Sequence, residues 1–265
     1  MRENVVAVND REQMQSMAMF DRIELVLQAL DDCGHLTLSE TSRLTGIPTS
    51  SAHRLLEKMV QRRWLTRVGT RYEIGVRLFE LGSRAVRNHW FHRTALPTMQ
   101  ELHRSTGAVV HLAFLDGADG VYWEKISGSF GAKIPSRIGG RYPAHRSAVG
   151  KALLSSLPRE ALDQPVFGRL NRRDVQRSGG RRELEDELDR VAVEGVAYDR
   201  GEALPGLGCV AAPIAHGHPT PAALSICGPL SRITTDRRMS AAVQTAAAEI
   251  ARGVRQAAPS GDPVG

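Results

Sequence analysis

The sequence predicts an α+β protein in two parts: a small helical unit closed by a hairpin, then a larger antiparallel sheet with helices at both ends. Three observations carry that class. Up to about residue 65, apolar residues recur at helical spacing, punctuated by glycine and proline. From about residue 108, short apolar runs alternate with glycine-rich turns such as Asp116-Gly117-Ala118-Asp119-Gly120. The βαβ alternation of a doubly wound fold is missing, as are the G-x-G-x-x-G and P-loop patterns, so a nucleotide-binding α/β class is set aside.

Length and composition agree with this division. The chain has 265 residues, 42% of them apolar, enough for two modest cores. Its formal net charge of +6 suits an anionic partner only if the charge is concentrated. No apolar run nears the ~20 residues of a membrane span. Residues 1–18 lack a signal-peptide core and read as a disordered arm, and residues 257–265 read as a frayed tail. The three cysteines, Cys33, Cys209 and Cys227, are widely spaced and form no C-x-x-C. Reduced thiols in a cytoplasmic protein are therefore expected, with no metal and no cofactor.

The elements follow in order. Phe20, Ile23, Leu27 and Leu30 share one face of a first helix, which Gly34 stops. Thr37 and Glu40 stand at capping-box spacing, where the hydroxyl caps orphan amides and the carboxylate reaches back. A short helix over 38–45 ends at Gly46, which tolerates the positive φ of a tight turn. Ser42 is small enough for the next helix to pack close, and Pro48 sets the chain direction into it. There Ala52, Leu55, Leu56, Met59 and Val60 form a single apolar stripe. Two strand-like runs around Val68-Gly69-Thr70 predict a hairpin. Helix, helix, tight turn, helix and hairpin make a winged helix-turn-helix, assigned to residues 19–78.

Val76, Leu78, Phe79, Leu81 and Val86 pattern a further helix, and residues 79–91 are assigned as the connector. The second domain, residues 92–256, opens with a helix from Ala95 that ends at Gly107. Strands are expected at 108–115, 121–126, 132–137, 196–199, 208–214 and 222–227. Helices are expected at 147–157, 181–195 and 235–254, a basic loop at 163–180, and a turn around His216 and His218.

Charge then gives the first part a task. Between Arg43 and Arg77 lie eight basic and two acidic residues, a net +6 equal to that of the whole chain. A duplex carries dense phosphate charge, and a concentrated basic face gains affinity by releasing its counterions. Ser50, Ser51, His53, Arg54 and Lys58 lie off the apolar stripe of the third helix. Short hydroxyl side chains at a helix start suit base edges and phosphates, and Arg54 has the fork to take a guanine bidentately. Arg67 and Arg71 flank the hairpin tip, where arginine suits a minor groove or the backbone. With Arg43 and Thr49, these residues form the expected contact set for double-stranded DNA. The bland alternative for each cation is a solvated side chain. A winged helix that binds only protein is a further alternative, and the concentrated charge argues against it.

At these residues the chain resembles the IclR family of bacterial transcription regulators. The stretch from Gly46 through Ala85 is similar to that family's winged domain. Three later stretches resemble its second domain: RIGGRYPAHRSAVGKALLSSLP, ELDRVAVEGVAYDRGEALPGLGCVAAPI and AALSICGPLSRIT. The resemblance runs from about Phe20 to Val254, with the motifs in order. It implies a GAF-like effector-binding domain, homodimers often paired as homotetramers on palindromic operators, and repression or activation in response to a small molecule such as an organic or aromatic acid. It also implies an effector pocket lined by Ile134, Tyr142, Ala148, Val149, Asp199, Cys209, Ser225 and Cys227. A mostly apolar cleft with a few polar groups suits such a ligand. The chain departs from the family at Ser42, where the turn usually has Ala, at Tyr142, at Arg146 and at Cys227. Arg146 raises the expectation of an anionic effector, against the plainer reading of a solvent-facing side chain.

A different class of function stays open. Cys209, following Gly206-Leu207-Gly208, and His145 are the types that pair as nucleophile and base in a thiol-dependent enzyme. Such chemistry needs a depressed thiol pKa, and no local feature announces one. A G-x-S-x-G elbow is absent, and His103, His111, His145, His216 and His218 have no metal-ligand spacing.

Overall fold

The computed structural model describes residues 18–170, 180–215, 217 and 220–257. Most of the expected arm, nearly all of the tail, the centre of the basic loop, and His216 and His218 lie outside the described residues. The chain divides into two compact units, Met1–Val86 and Arg87–Gly265.

The first unit holds helix α1 (Met19–Cys33), strand β1 (Leu36–Thr37), α2 (Leu38–Thr45), α3 (Thr49–Gln61), β2 (Leu65–Val68) and β3 (Arg71–Ile74). The capping box forms as expected: the Thr37 N–H donates to Glu40 Oε2 at 2.8 Å, and the Glu40 N–H donates to Thr37 Oγ1 at 3.3 Å. The Thr37 N–H and hydroxyl, both donating to Glu40 Oε2, hold that carboxyl below the usual carboxylate range. Gly46 caps α2 in the left-handed region, with φ +70°, a conformation glycine adopts without strain. The Ser42 hydroxyl donates to the Ile47 carbonyl at 2.7 Å, and Thr49 Oγ1 donates to Ser42 Oγ at 3.2 Å. The hydroxyl at Ser42 is thus a clamp on the turn as well as a small side chain. One core gathers Val26, Leu30, Leu36, Ile47, Ala52, Leu55, Leu56, Met59, Leu65 and Tyr72. β3 pairs antiparallel with both β2 and β1.

Of the α1 stripe, Leu30 is buried in this core with Ile23 and Leu27 packed against it, but Phe20 is left outside, as is the whole stripe of the helix after β3. Phe20 on α1 is 81% exposed, and α4 (Val76–Asn88) buries none of its residues, with Phe79 at 71%. Both patterns are helical, but Met19 and Phe20 at the start of α1 and Val76, Phe79 and Leu81 on α4 are uncovered in the single chain.

The second unit is a six-stranded antiparallel sheet in the order β6-β5-β4-β9-β8-β7. Its strands are β4 (Val109–Asp116), β5 (Asp119–Ile126), β6 (Arg141–Pro143), β7 (Ala197–Arg200), β8 (Leu207–Ile214) and β9 (Ala222–Pro229). Side chains alternate across a strand, so each strand feeds two cores. Val110, Leu112, Val210, Ala212, Leu224 and Ile226 face α5 (Trp90–Thr106) and α9 (Arg237–Ala257). Val109, Ala113, Cys209, Ala211, Ala223 and Cys227 face α6 (Ala148–Leu154) and α7 (Arg181–Glu194). A short helix, α8 (Leu230–Ile233), follows β9.

Two expectations are corrected. Residues 132–137 form no strand; a 3-10 turn, Ser129–Lys133, leads into irregular chain, and the edge strand is β6. Lys125 explains the difference. Its Nζ donates to the carbonyls of Gly131, Ile134 and Ser136 at 3.2, 3.1 and 2.8 Å, satisfying groups that a ladder would otherwise pair. The helix expected from Ala95 begins earlier, at Trp90, which places Pro97 inside it. Burial of Phe91 and Ala95 against the sheet supplies the driving force that outweighs the missing proline donor.

Candidate DNA-contacting helix and effector cavity

On α3 the stripe Ala52, Leu55, Leu56 and Met59 is buried, and Val60 is half-buried. Thr49, Ser50, His53, Arg54 and Lys58 are exposed, and Ser51 is half-buried. Arg43 and Arg71 are exposed as well. Arg43, Arg54, Lys58 and Arg71 make no side-chain hydrogen bond or ion pair among the described residues. Exposed cations without a partner are groups that a polyanion would neutralise. Arg67 differs. Its guanidinium bonds Glu57 Oε1 at 3.2 Å and the Gly69 carbonyl at 3.1 Å, and lies over the Tyr72 ring. That fixes the tip of the hairpin against α3 rather than leaving Arg67 free.

The second unit holds a cavity of about 280 Å³ on the α6/α7 face of the sheet. Register builds it. Asp199, Cys209 and Cys227 are direct cross-strand neighbours on β7, β8 and β9. One step along, His111 on β4 stands opposite Ser225. A bulge between Leu112 and Ala113 brings Tyr122 opposite Ala113, and the Tyr122 ring lies 4.8 Å from His111 and 4.5 Å from Tyr142. Gly120 faces Tyr142 across the ladder, and a Cβ there would overlap the phenol, so glycine lets that ring seat in the wall.

The polar groups of this cavity are unevenly satisfied. Asp199 Oδ1 accepts the N–H groups of Gly201, Glu202 and Ala203 at 3.0, 2.7 and 3.4 Å. Its Oδ2 is buried and has no hydrogen-bond partner. Burial raises the Asp199 pKa, and the amide bonds only partly offset it. His111 Nε2 shares a proton with Ser136 Oγ at 2.7 Å. The Tyr142 hydroxyl lies beside Ser147 without a well-formed bond, and behind the lining Ser225 Oγ is buried without a partner. Such leftovers are costly in a closed core and are what a polar ligand would satisfy. At the rim, Arg141 pairs with Asp116 at 2.6 Å and reaches Asp119 at 3.4 Å, and Arg137 is exposed. Behind the cavity, the buried Lys151 donates to Glu187 at 2.8 Å, Glu202 at 2.7 Å and the Tyr198 carbonyl at 3.5 Å. Burial acts to lower its pKa, but the two carboxylates outweigh it and hold the pKa above the ordinary lysine value.

Comparison with known proteins decides what these two surfaces belong to. A helix-turn-helix domain described as that of IclR matches residues 21–69, and the "Bacterial transcriptional regulator IclR C-terminal" domain matches residues 83–252. The chain belongs to the IclR family. It is 33% identical to the HTH-type transcriptional regulator KdgR of Escherichia coli over 85% of this chain and 88% of that protein. It is also 33% identical to the acetate operon repressor of Salmonella typhimurium, over 82% of each. An IclR homologue from Microbacterium hydrocarbonoxydans, solved in complex with 4-hydroxybenzoate, superimposes with TM-score 0.77 at 26% identity over 90% of this chain and 100% of that one.

As an IclR-family member the chain is a DNA-binding transcription regulator. Of the residues that the family resemblance implied for the effector, Ile134, Tyr142, Asp199, Cys209 and Cys227 line the cavity. Ala148 and Val149 are buried in the core on that face, and Ser225 is buried on β9; these three are outside the lining itself. Arg146 is exposed and does not line the cavity; the cationic rim is Arg137 and Arg141 instead. His111, Tyr122, Ser136 and Ser147 also line it and were missed from the sequence. Alternation along 108–115 was the one signal available, since it puts His111 on the face of Ala113. The enzyme alternative gains nothing here. His145 is outside the cavity lining, and the Cys209 thiol is held well above its ordinary pKa by its hydrogen bond with Cys227 and by burial.

Proposed function

We propose that this IclR-family regulator binds a palindromic operator through α3 and the β2–β3 hairpin, acts as a repressor, and responds to a small organic acid, preferably aromatic, held in the 280 Å³ cavity. One observation carries the reading. A helix whose exposed face is polar and cationic sits in one unit, and a cavity with unsatisfied polar atoms in its wall sits in the other. Ser50, Ser51, Arg54 and Lys58 meet the major groove first, with Thr49, His53 and Arg43 beside them and Arg71 at the wing. Arg67 holds the hairpin and reaches DNA only if its bond to Glu57 opens. Tyr122 and Tyr142 offer faces to an aromatic ring, and Arg137 and Arg141 offer charge to a carboxylate at the rim. A ligand with different affinity for two arrangements of the assembly shifts operator occupancy by that difference. The partner that completes the assembly is a second copy, as a homodimer or a pair of them. The apolar edges of α1 and α4 exposed in the single chain support this.

The test is Arg54→Ala. Its operator affinity should fall by roughly 1–3 kcal/mol with relaxed preference at one base position. Equal binding by both proteins across a set of operator variants removes Arg54 from base reading.

A further inference from the structure

Cys209 and Cys227 stand directly opposite each other on adjacent antiparallel strands. Opposed residues of such a pair have Cα atoms about 4.5–5.5 Å apart, inside the range of about 4.4–6.8 Å that a disulfide spans. Both side chains lie on one face of the sheet, in the core that α6 and α7 cover. Both line the cavity, so a small polar solute that enters it meets them although each is more than nine-tenths buried. Among the described residues no group of three or more His, Cys, Asp or Glu is placed to hold a metal ion, so the pair lacks the third ligand a soft-metal site would need. The remaining cysteine, Cys33, is exposed in the other unit and is no partner for either.

We infer that Cys209 and Cys227 are a dithiol modification site, closed to a disulfide inside the cavity by a hydroperoxide and reopened by a thiol reductant. Cys227 reacts first. The neighbouring Cys209 S–H and the His111 ring lower its pKa to about 6, outweighing burial and the Asp199 charge, whereas at Cys209 the Cys227 sulfur, burial and Asp199 all favour the protonated thiol. The Cys227 sulfur attacks one peroxide oxygen and the O–O bond breaks. With hydrogen peroxide, the departing hydroxide takes a proton and leaves as water, and Cys227 becomes a sulfenic acid. The Cys209 sulfur then attacks the Cys227 sulfur, the S–O bond breaks, and the hydroxyl leaves as a second water with the Cys209 proton. Two thiols and one peroxide thus give one disulfide and two waters. The peroxide is reduced and the sulfurs are oxidised. Cytosolic disulfides of this transient kind are redox-sensing ones. Closure replaces two weak donors in the cavity wall with an S–S bond that offers none.

The experiment uses full-length Cys33→Ser protein, treated in the folded state with hydrogen peroxide. It is then denatured and alkylated with a maleimide, and its intact mass is measured. The expected result is loss of both alkylation sites with a mass lower by two hydrogens, restored by dithiothreitol. In Cys33→Ser/Cys209→Ser the reaction should stop at a sulfenic acid on Cys227 that dimedone traps. Two fully alkylated thiols after treatment overturn the inference. So does a dimedone adduct on Cys209 in Cys33→Ser/Cys227→Ser at a rate equal to that on Cys227.

Discussion

Asp199 shows how one side chain divides its work. Oδ1 accepts three backbone N–H groups and so shapes residues 201–203, while Oδ2 faces the cavity wall unpaired. Truncation to alanine would remove both roles and blur them. Asp199→Asn keeps an acceptor for the loop and changes only the remaining atom. That variant should lose most of the response to effector while its binding to bare operator stays within twofold, read by titrating ligand against the operator complex. An unchanged dose response takes Asp199 out of the effector site. The same carboxyl also predicts a pH effect. Its folded pKa is raised, so the folded state binds the proton more tightly than the unfolded state. That contribution is fully present below the unfolded value and is lost as pH rises through the folded one. Urea melts of wild type and Asp199→Asn should therefore move apart in favour of wild type on acidification from neutral pH toward the ordinary carboxylate range. Parallel curves across that window contradict a buried, destabilised carboxylate.

Among the elements, the loop after β7 is held to α6 and α7 by Lys151, whose ammonium is buried between Glu187 and Glu202. Removing one member of a buried ionic cluster leaves the rest uncompensated, a loss of about 3–5 kcal/mol. Lys151→Ala should lower the stability of the second unit by that amount in denaturant melts, and a change under 1 kcal/mol would place the charges in solvent, against the cost expected of burial. This cluster was illegible in the sequence because its members lie 36 and 51 positions apart. What was legible is local. The capping box at Thr37 and Glu40, the turn at Gly46 and the stripe on α3 are all written within one or two helical turns. Short apolar runs between turns also marked five of the six strands. The failure at 132–137 came from Lys125, whose ammonium satisfies that segment's carbonyls from another strand. Likewise the cavity wall needed the strand register and the bulge at Leu112/Ala113 before Tyr122 and His111 became neighbours. The Ser42 clamp on Ile47 is a hydrogen bond that side-chain size alone does not suggest.

For the whole molecule, charge and apolar surface divide between two tasks. The segment from Arg43 to Arg77 carries a net charge equal to that of the entire chain, while the rest is balanced. In the proposed function these cations act as one field, in which Arg43, Arg54, Lys58 and Arg71 make no ion pair among the described residues. A dimer presents two such fields, and its half-sites should lie about one helical turn of DNA, or a multiple, apart. The central claim is that α3 reads a specific duplex. The most direct measurement is fluorescence anisotropy of the full-length protein on a labelled duplex from the region upstream of its own gene, against a shuffled duplex of the same length and composition at fixed physiological salt. The account predicts a preference for the upstream duplex of about 10³-fold or more. Equal affinity for the two would contradict it.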